Sequence, residues 1–155
     1  LQALFNQDNG TGRVQNLGAG GLVNAGGNLA RWLSRIPADI TRNITLGVPG
    51  SPGGGGSDHA SFSCSGAPAF MLGSGSWDYF SYTWHTNRDT YDKLSFDDVK
   101  NNAVLTAMLT YLAAEDPERV SRERRDVFAA GPGGQPGRWP SCGQPQRSST
   151  QPARP

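Results

Sequence analysis

Five residues of this chain carry types and positions suited to hydrolytic or metal-assisted chemistry: Asp8, Asp58, His59, His85 and Asp89. His85 stands in YTWHTNRDTYDKL (residues 82–94), a polar loop behind an aromatic cluster of Trp77, Tyr79, Phe80, Tyr82 and Trp84. A neutral imidazole there can bind zinc through one nitrogen while a carboxylate or carbonyl fixes the other. A plain loop histidine hydrogen-bonded to Asp89 uses the same residues. Asp58 and His59 lie in GSDHASF (residues 56–62), which reads as a ligand or substrate contact, or as an Asp cap on a short helix from Ala60 to Cys64. Asp8 is by default a turn residue. Ser57, Asp58 and His59 are the residue types of a hydrolase triad, but neighbours along one strand or helix cannot form the relay, and no G-x-S-x-G elbow occurs. Serine hydrolysis is set aside. Residues 1–114 contain no glutamate, so no H-E-x-x-H helix can be drawn and no second His-plus-carboxylate pair completes a two-metal site.

The elements around these residues follow from periodicity. The run ALFN (residues 3–6) stops at a turn-forming Gln7-Asp8-Asn9-Gly10, which puts Asp8 at the carboxyl end of a strand, the edge where open α/β sheets bind ligands. Leu22, Ala25, Leu29, Trp32, Leu33 and Ile36 recur at helical spacing before Pro37, with Gly26 and Gly27 weakening the first half. ITLGV (residues 44–48) and APAFML (residues 67–72) read as strands, and PGSPGGGG (residues 49–56) as the loosest connector. Ser95 with Asp98 three residues on has the form of a capping box for a helix from Phe96 to about Ala114. Val99, Ala103, Leu105, Met108, Leu109, Leu112 and Ala113 form its apolar face, and Asp116-Pro117 ends it.

Composition bounds the rest. The 155 residues hold 35% hydrophobic side chains, 21 glycines and 11 prolines, which predicts one compact domain, set at residues 1–122, plus loose segments. The Pro/Gly-rich residues 123–155 are expected to be a disordered tail. A net charge of +1 gives no electrostatic case for nucleic acid, and no apolar run approaches the length of a membrane span. Cys64 and Cys142 lack the spacing of a thiolate metal site, and a disulfide between them is left open. Asn9-Gly10-Thr11 and Asn43-Ile44-Thr45 match the glycosylation pattern.

In order, NQDNGTGR (residues 6–13), GSDHASF with GAPAFML (residues 66–72), and YTWHTNRDTYDKL before a long helix resemble a known family. The chain is similar to the carboxy-terminal half of the zinc-dependent aminopeptidases and related carboxypeptidases of metallopeptidase family twenty-eight, over about residues 1–116. The resemblance implies a three-layer α/β zinc-exopeptidase fold, a central mixed sheet flanked by helices, with two zinc ions at the carboxyl ends of central strands. Asn6-Gln7-Asp8 matches the motif whose aspartate binds one zinc, and His85-Thr86-Asn87-Arg88-Asp89-Thr90 the motif whose histidine binds the other. Ser57-Asp58-His59 with Phe62 match the motif lining the substrate cleft, so Asp58, His59, Tyr82 and Trp84 are assigned to substrate binding.

The implied substrate is a peptide, cut at its terminus by a metal-activated water, in a secreted or periplasmic setting. The family's His-x-Asp motif, with the metal-bridging aspartate, and its Glu-Glu pair, with the general base, have no counterpart here and belong upstream of Leu1 in family order. Trp84 stands where a tyrosine often precedes the ligand histidine, with Tyr82 nearby. Two other functions remain open at this point, a non-catalytic binding module of the same fold and a glutaminyl-cyclase-like zinc acyltransferase.

Overall fold

The computed structural model describes residues 1–8, 11–52, 56–125 and 139–143. Among these described residues four strands form one mixed sheet flanked by helices. They are β1 (Leu4–Asn6), β2 (Val14–Gly18), β3 (Thr45–Gly47) and β4 (Ala69–Ser74), in the order β1-β4-β2-β3. β1 runs parallel to β4, with Asn6 opposite Met71, and β2 runs antiparallel to β4 and parallel to β3. Both parallel strands therefore end at the same edge, and the chain beyond β1 carries Asp8 there.

The helices are α1 (Ala25–Leu33), α2 (Ala38–Thr41), α3 (Ala60–Ser63), α4 (Tyr79–Tyr82) and α5 (Phe96–Glu115), with a 3-10 turn at Tyr91–Lys93. α1 packs on α5 and β3, and α5 on β1. Between them lie the buried Leu29, Trp32, Phe70, Leu72, Leu105 and Leu109. α1 starts three residues later than its apolar periodicity predicts, because Asn24 takes a left-handed conformation (φ 69°) and Leu22 forms a bridge with Arg124 instead. Gly26 is not simply a weak helix former: a Cβ on it would come within 2.8 Å of the Val48 side chain, so its hydrogen lets the end of β3 close on α1.

β2 was not foreseen. Val14 and Leu17 are both buried although three residues apart, because the register with β4 shifts between Val14 and Asn16. An irregular residue there breaks the two-residue alternation by which a strand is read.

α5 keeps its predicted span, but not its predicted cap. Ser95 makes no side-chain cap bond, and Asp98 is held by Arg13 Nε at 2.9 Å. Val99 is 43% exposed and Ala103 is exposed as well, so the buried face runs through Asn102, Leu105, Leu109, Leu112 and Ala113. The other end is fixed by Asp116, whose Oδ2 accepts hydrogen bonds from Arg31 Nη2 (2.7 Å) and Trp32 Nε1 (2.6 Å) while its Oδ1 accepts from the Glu118 amide. The Arg31 bond is the main cause holding the Asp116 carboxyl below its ordinary 3.8. A carboxylate depressed on folding stabilises the fold above its unfolded value, and that contribution is lost as pH falls through the folded one. Asp116→Asn is accordingly expected to reduce the slope of stability against pH below about pH 4, as read from urea midpoints at several pH values. An unchanged slope would sink the assignment.

The expected tail falls largely on residues 126–138 and 144–155, outside the described residues. Its described parts make contacts. Val23 N donates to Glu123 O, Arg125 N to Gly21 O, and Trp139 Nε1 to Arg125 O, while the Arg124 guanidinium lies over the Trp139 ring. Cys64, next to α3, is joined to Cys142 by a disulfide.

Candidate functional site

The site is built from the strand edge outward. Asn6, the last residue of β1, directs its Nδ2 to Ser57 Oγ (2.7 Å) and Met71 Sδ (3.2 Å), with a longer contact of 3.5 Å to His59 Nδ1. One amide thus links the end of β1 to β4 and to the loop that carries His59. His59 is 6% exposed, just ahead of α3. Asp58 neither caps that helix by its side chain nor lines the cleft, and it is exposed.

Two adjoining clefts share Asp8 and Tyr79. The first, of 470 Å³, is lined by Asp8, Ser57, His59, Met71, Tyr79, Phe80, Trp84 and His85. The second, of 420 Å³, adds Asp89, Leu94, Val99, Asn102 and Ala103, which accounts for the exposure of Val99. Neither lining includes a lysine or arginine, so Asp8 and Asp89 make this region favourable for a cation. A larger cleft of 620 Å³ at Arg13, Gln15, Asn43 and Trp77 holds none of the five residues singled out by type.

His85 sits in a left-handed conformation, φ 57°, which for a residue with a Cβ is maintained only by its surroundings. Its ring stacks on Trp84 at 4.0 Å, and Trp84 meets Phe80 edge to face. Asp89, the expected partner of a plain loop histidine, instead accepts a hydrogen bond from Tyr79 Oη, at 3.0 Å through its Oδ2. Burial first, then that bond and the charges of Asp89 and Asp8, raise the Tyr79 phenol above its ordinary 10.0, so it remains an O–H donor at neutral pH.

Of the residues chosen from sequence, Asp8, His59, Trp84 and His85 share one cleft. Asp58 and Tyr82 are not among its lining residues, and Tyr82 is 65% exposed on α4. Sequence reasoning passed over Asn6 and Tyr79. Asn6 had a signal, being a polar residue that ends an apolar strand two positions before Asp8; Tyr79 had none beyond membership of an aromatic cluster.

Carboxylate oxygen and imidazole nitrogen are suitable donors for zinc, whose catalytic sites take three protein ligands and leave one position open. In kind, Asp8 and His85 fit. In number they fall short, since among the described residues no group of three or more His, Cys, Asp or Glu side chains is placed to hold a metal. The described residues therefore contain no complete metal site.

Comparison with known proteins gives one match, the family described as Peptidase family M28, over residues 3–110. That span includes both clefts and most of α5. No curated protein and no solved structure matches the chain.

Proposed function

The chain belongs to Peptidase family M28, and on that premise we propose that it is the carboxy-terminal part of a zinc-dependent exopeptidase of aminopeptidase type. Metallopeptidase function in general, with peptide as substrate, follows from membership. The finer reading is supported by one observation above the others: Asp8, just past β1, and His85 in its left-handed loop open onto a single cleft that has no basic side chain among its described lining residues.

In this reading Asp8 and His85 are the chain's share of the metal ligands. Zinc, when bound, supplies Lewis acidity toward the peptide carbonyl and the attacking water. The chain's own residues orient the substrate. Met71, Phe80 and Trp84 offer an apolar wall to a side chain. The remaining donors and the general base come from a segment outside these 155 residues. A secreted or periplasmic setting is part of the proposal, supported by the Cys64–Cys142 disulfide, since such bonds persist in oxidising compartments.

The test compares residues 1–155 with a protein extended upstream to include the His-x-Asp and Glu-Glu motifs. The extended protein is expected to hydrolyse an aminoacyl-nitroanilide in a chelator-sensitive way and to lose that activity in His85→Ala, while residues 1–155 alone bind zinc weakly and turn over nothing. Efficient hydrolysis by residues 1–155 alone would overturn the divided site. A second reading, a non-catalytic module of the same fold, is favoured by the lack of a third donor among the described residues and by Trp84 in the tyrosine position. An extended protein that binds peptide but neither zinc nor substrate turnover would establish it instead.

A further inference from the structure

We propose that Tyr79 is the positioning residue of His85, holding the loop that presents it from both sides through two different parts of one residue. On the near side, the Tyr79 carbonyl accepts hydrogen bonds from Thr83 N (3.0 Å), Thr83 Oγ1 (3.0 Å) and Trp84 N (2.9 Å). On the far side, its Oη donates to Asp89 Oδ2 at 3.0 Å. His85 lies between these anchors, at the left-handed position that an L residue leaves unless its neighbours hold it there. Thr86 closes the interior of the loop, its amide and its Oγ1 both donating to Thr83 O. The Thr86 turn is local and fixes only the loop's own curvature, whereas the Tyr79 phenol ties the far end of the loop to the helix that begins it.

The two anchors are separable. Tyr79→Phe leaves the carbonyl bonds and the ring's edge contact with Phe80 in place and removes the bond to Asp89 alone. With that bond gone, the far end of the loop keeps only local bonds, such as Asp89 N to Thr86 O and Thr90 N to Arg88 O, nothing ties it to the helix, and the His85 ring loses its fixed stack on Trp84. The consequence for catalysis rests on the reading of His85 as a metal ligand; the positioning itself does not.

Because His59 and His85 are the only histidines, the 155-residue chain gives one set of imidazole carbon-proton resonances for each in a nuclear magnetic resonance spectrum. At one fixed pH the His85 signals should be displaced upfield by the Trp84 ring, and His59→Gln assigns them. In Tyr79→Phe they are expected to move toward the position of an exposed histidine, with the His59 signals and the urea midpoint unchanged. Asp89→Ala should reproduce that shift, and Asp89→Asn, which keeps an acceptor oxygen, should restore the wild-type position.

Unmoved His85 signals in Tyr79→Phe, or a failure of Asp89→Ala to reproduce the shift, overturns the proposal. So does a change that moves both histidines together with the midpoint. Zinc binding by the protein extended upstream tests the other reading separately: if His85→Ala leaves its zinc content unchanged, the ligand assignment fails while the positioning role stands or falls on the variants.

Discussion

Replacing Asn102 with leucine is expected to destabilise the protein by about 3 kcal/mol, because a buried hydrogen-bond partner is removed from two backbone groups at once. Asn102 is 3% exposed on α5. Its Oδ1 accepts from Val14 N and its Nδ2 donates to Gly12 O, both at 2.9 Å. Val14 opens β2 beside the register shift, where the strand ladder does not supply a regular partner, and the side chain from the helix takes the ladder's place. Leucine keeps the branching and the number of heavy atoms but is bulkier, so some overpacking adds to the loss of the two bonds. Urea unfolding should show a lower midpoint at an unchanged slope. A loss of under about 1 kcal/mol would mean that water satisfies both groups and that the clamp is not a structural one. Because Asn102 also lines the cleft that contains Asp8 and Asp89, the loosened 11–14 segment should be felt at the site as well.

The second large effect belongs to the disulfide. Cys64 and Cys142 are 78 residues apart, and in the chain-entropy account closing a loop of that size stabilises the folded state by about 4 kcal/mol. That is a factor on the order of a thousand in the folding equilibrium. The double substitution Cys64→Ser with Cys142→Ser should therefore lower the urea midpoint strongly, and wild type in reductant should match it. The serine variant itself should not respond to reductant. Two free thiols titrated in the native, unreduced protein would end the argument. The bond also lies beside a polar contact set: Arg124 Nη2 donates to Cys64 O at 3.1 Å, and the same guanidinium packs against Gly66 and Trp139.

What could be read from the residues was whatever repeats or terminates locally. α5 was legible from its apolar spacing and from Asp116-Pro117, α1 from Leu29, Trp32 and Pro37, and β1, β3 and β4 from short apolar runs next to turn formers. β2 was hidden because its two buried residues are three apart across an irregular register. The Ser95 cap was misread because Arg13, 85 residues away from Asp98, claims the carboxylate that a local rule assigned to a cap. The same separation explains the site. His85 and Asp8 were found by their types, but the residues that orient them, Asn6 and Tyr79, act through partners that no spacing rule connects. The disulfide stayed open for a related reason, since spacing gives no distance between Cys64 and Cys142.

The strand order also governs how the chain comes to be folded in time. β4 lies between β1 and β2, so neither inner edge of the sheet is closed until residues 69–74 arrive, and β1 waits more than sixty residues for its neighbour. No pair of adjacent strands is a hairpin, and every pairing closes a long loop before any contact rewards it. Until β4 inserts, the edges of β1 and β2 that face it stay unpaired, the interval in which such edges are open to wrong partners. The speed of that insertion sets how long those edges stay open.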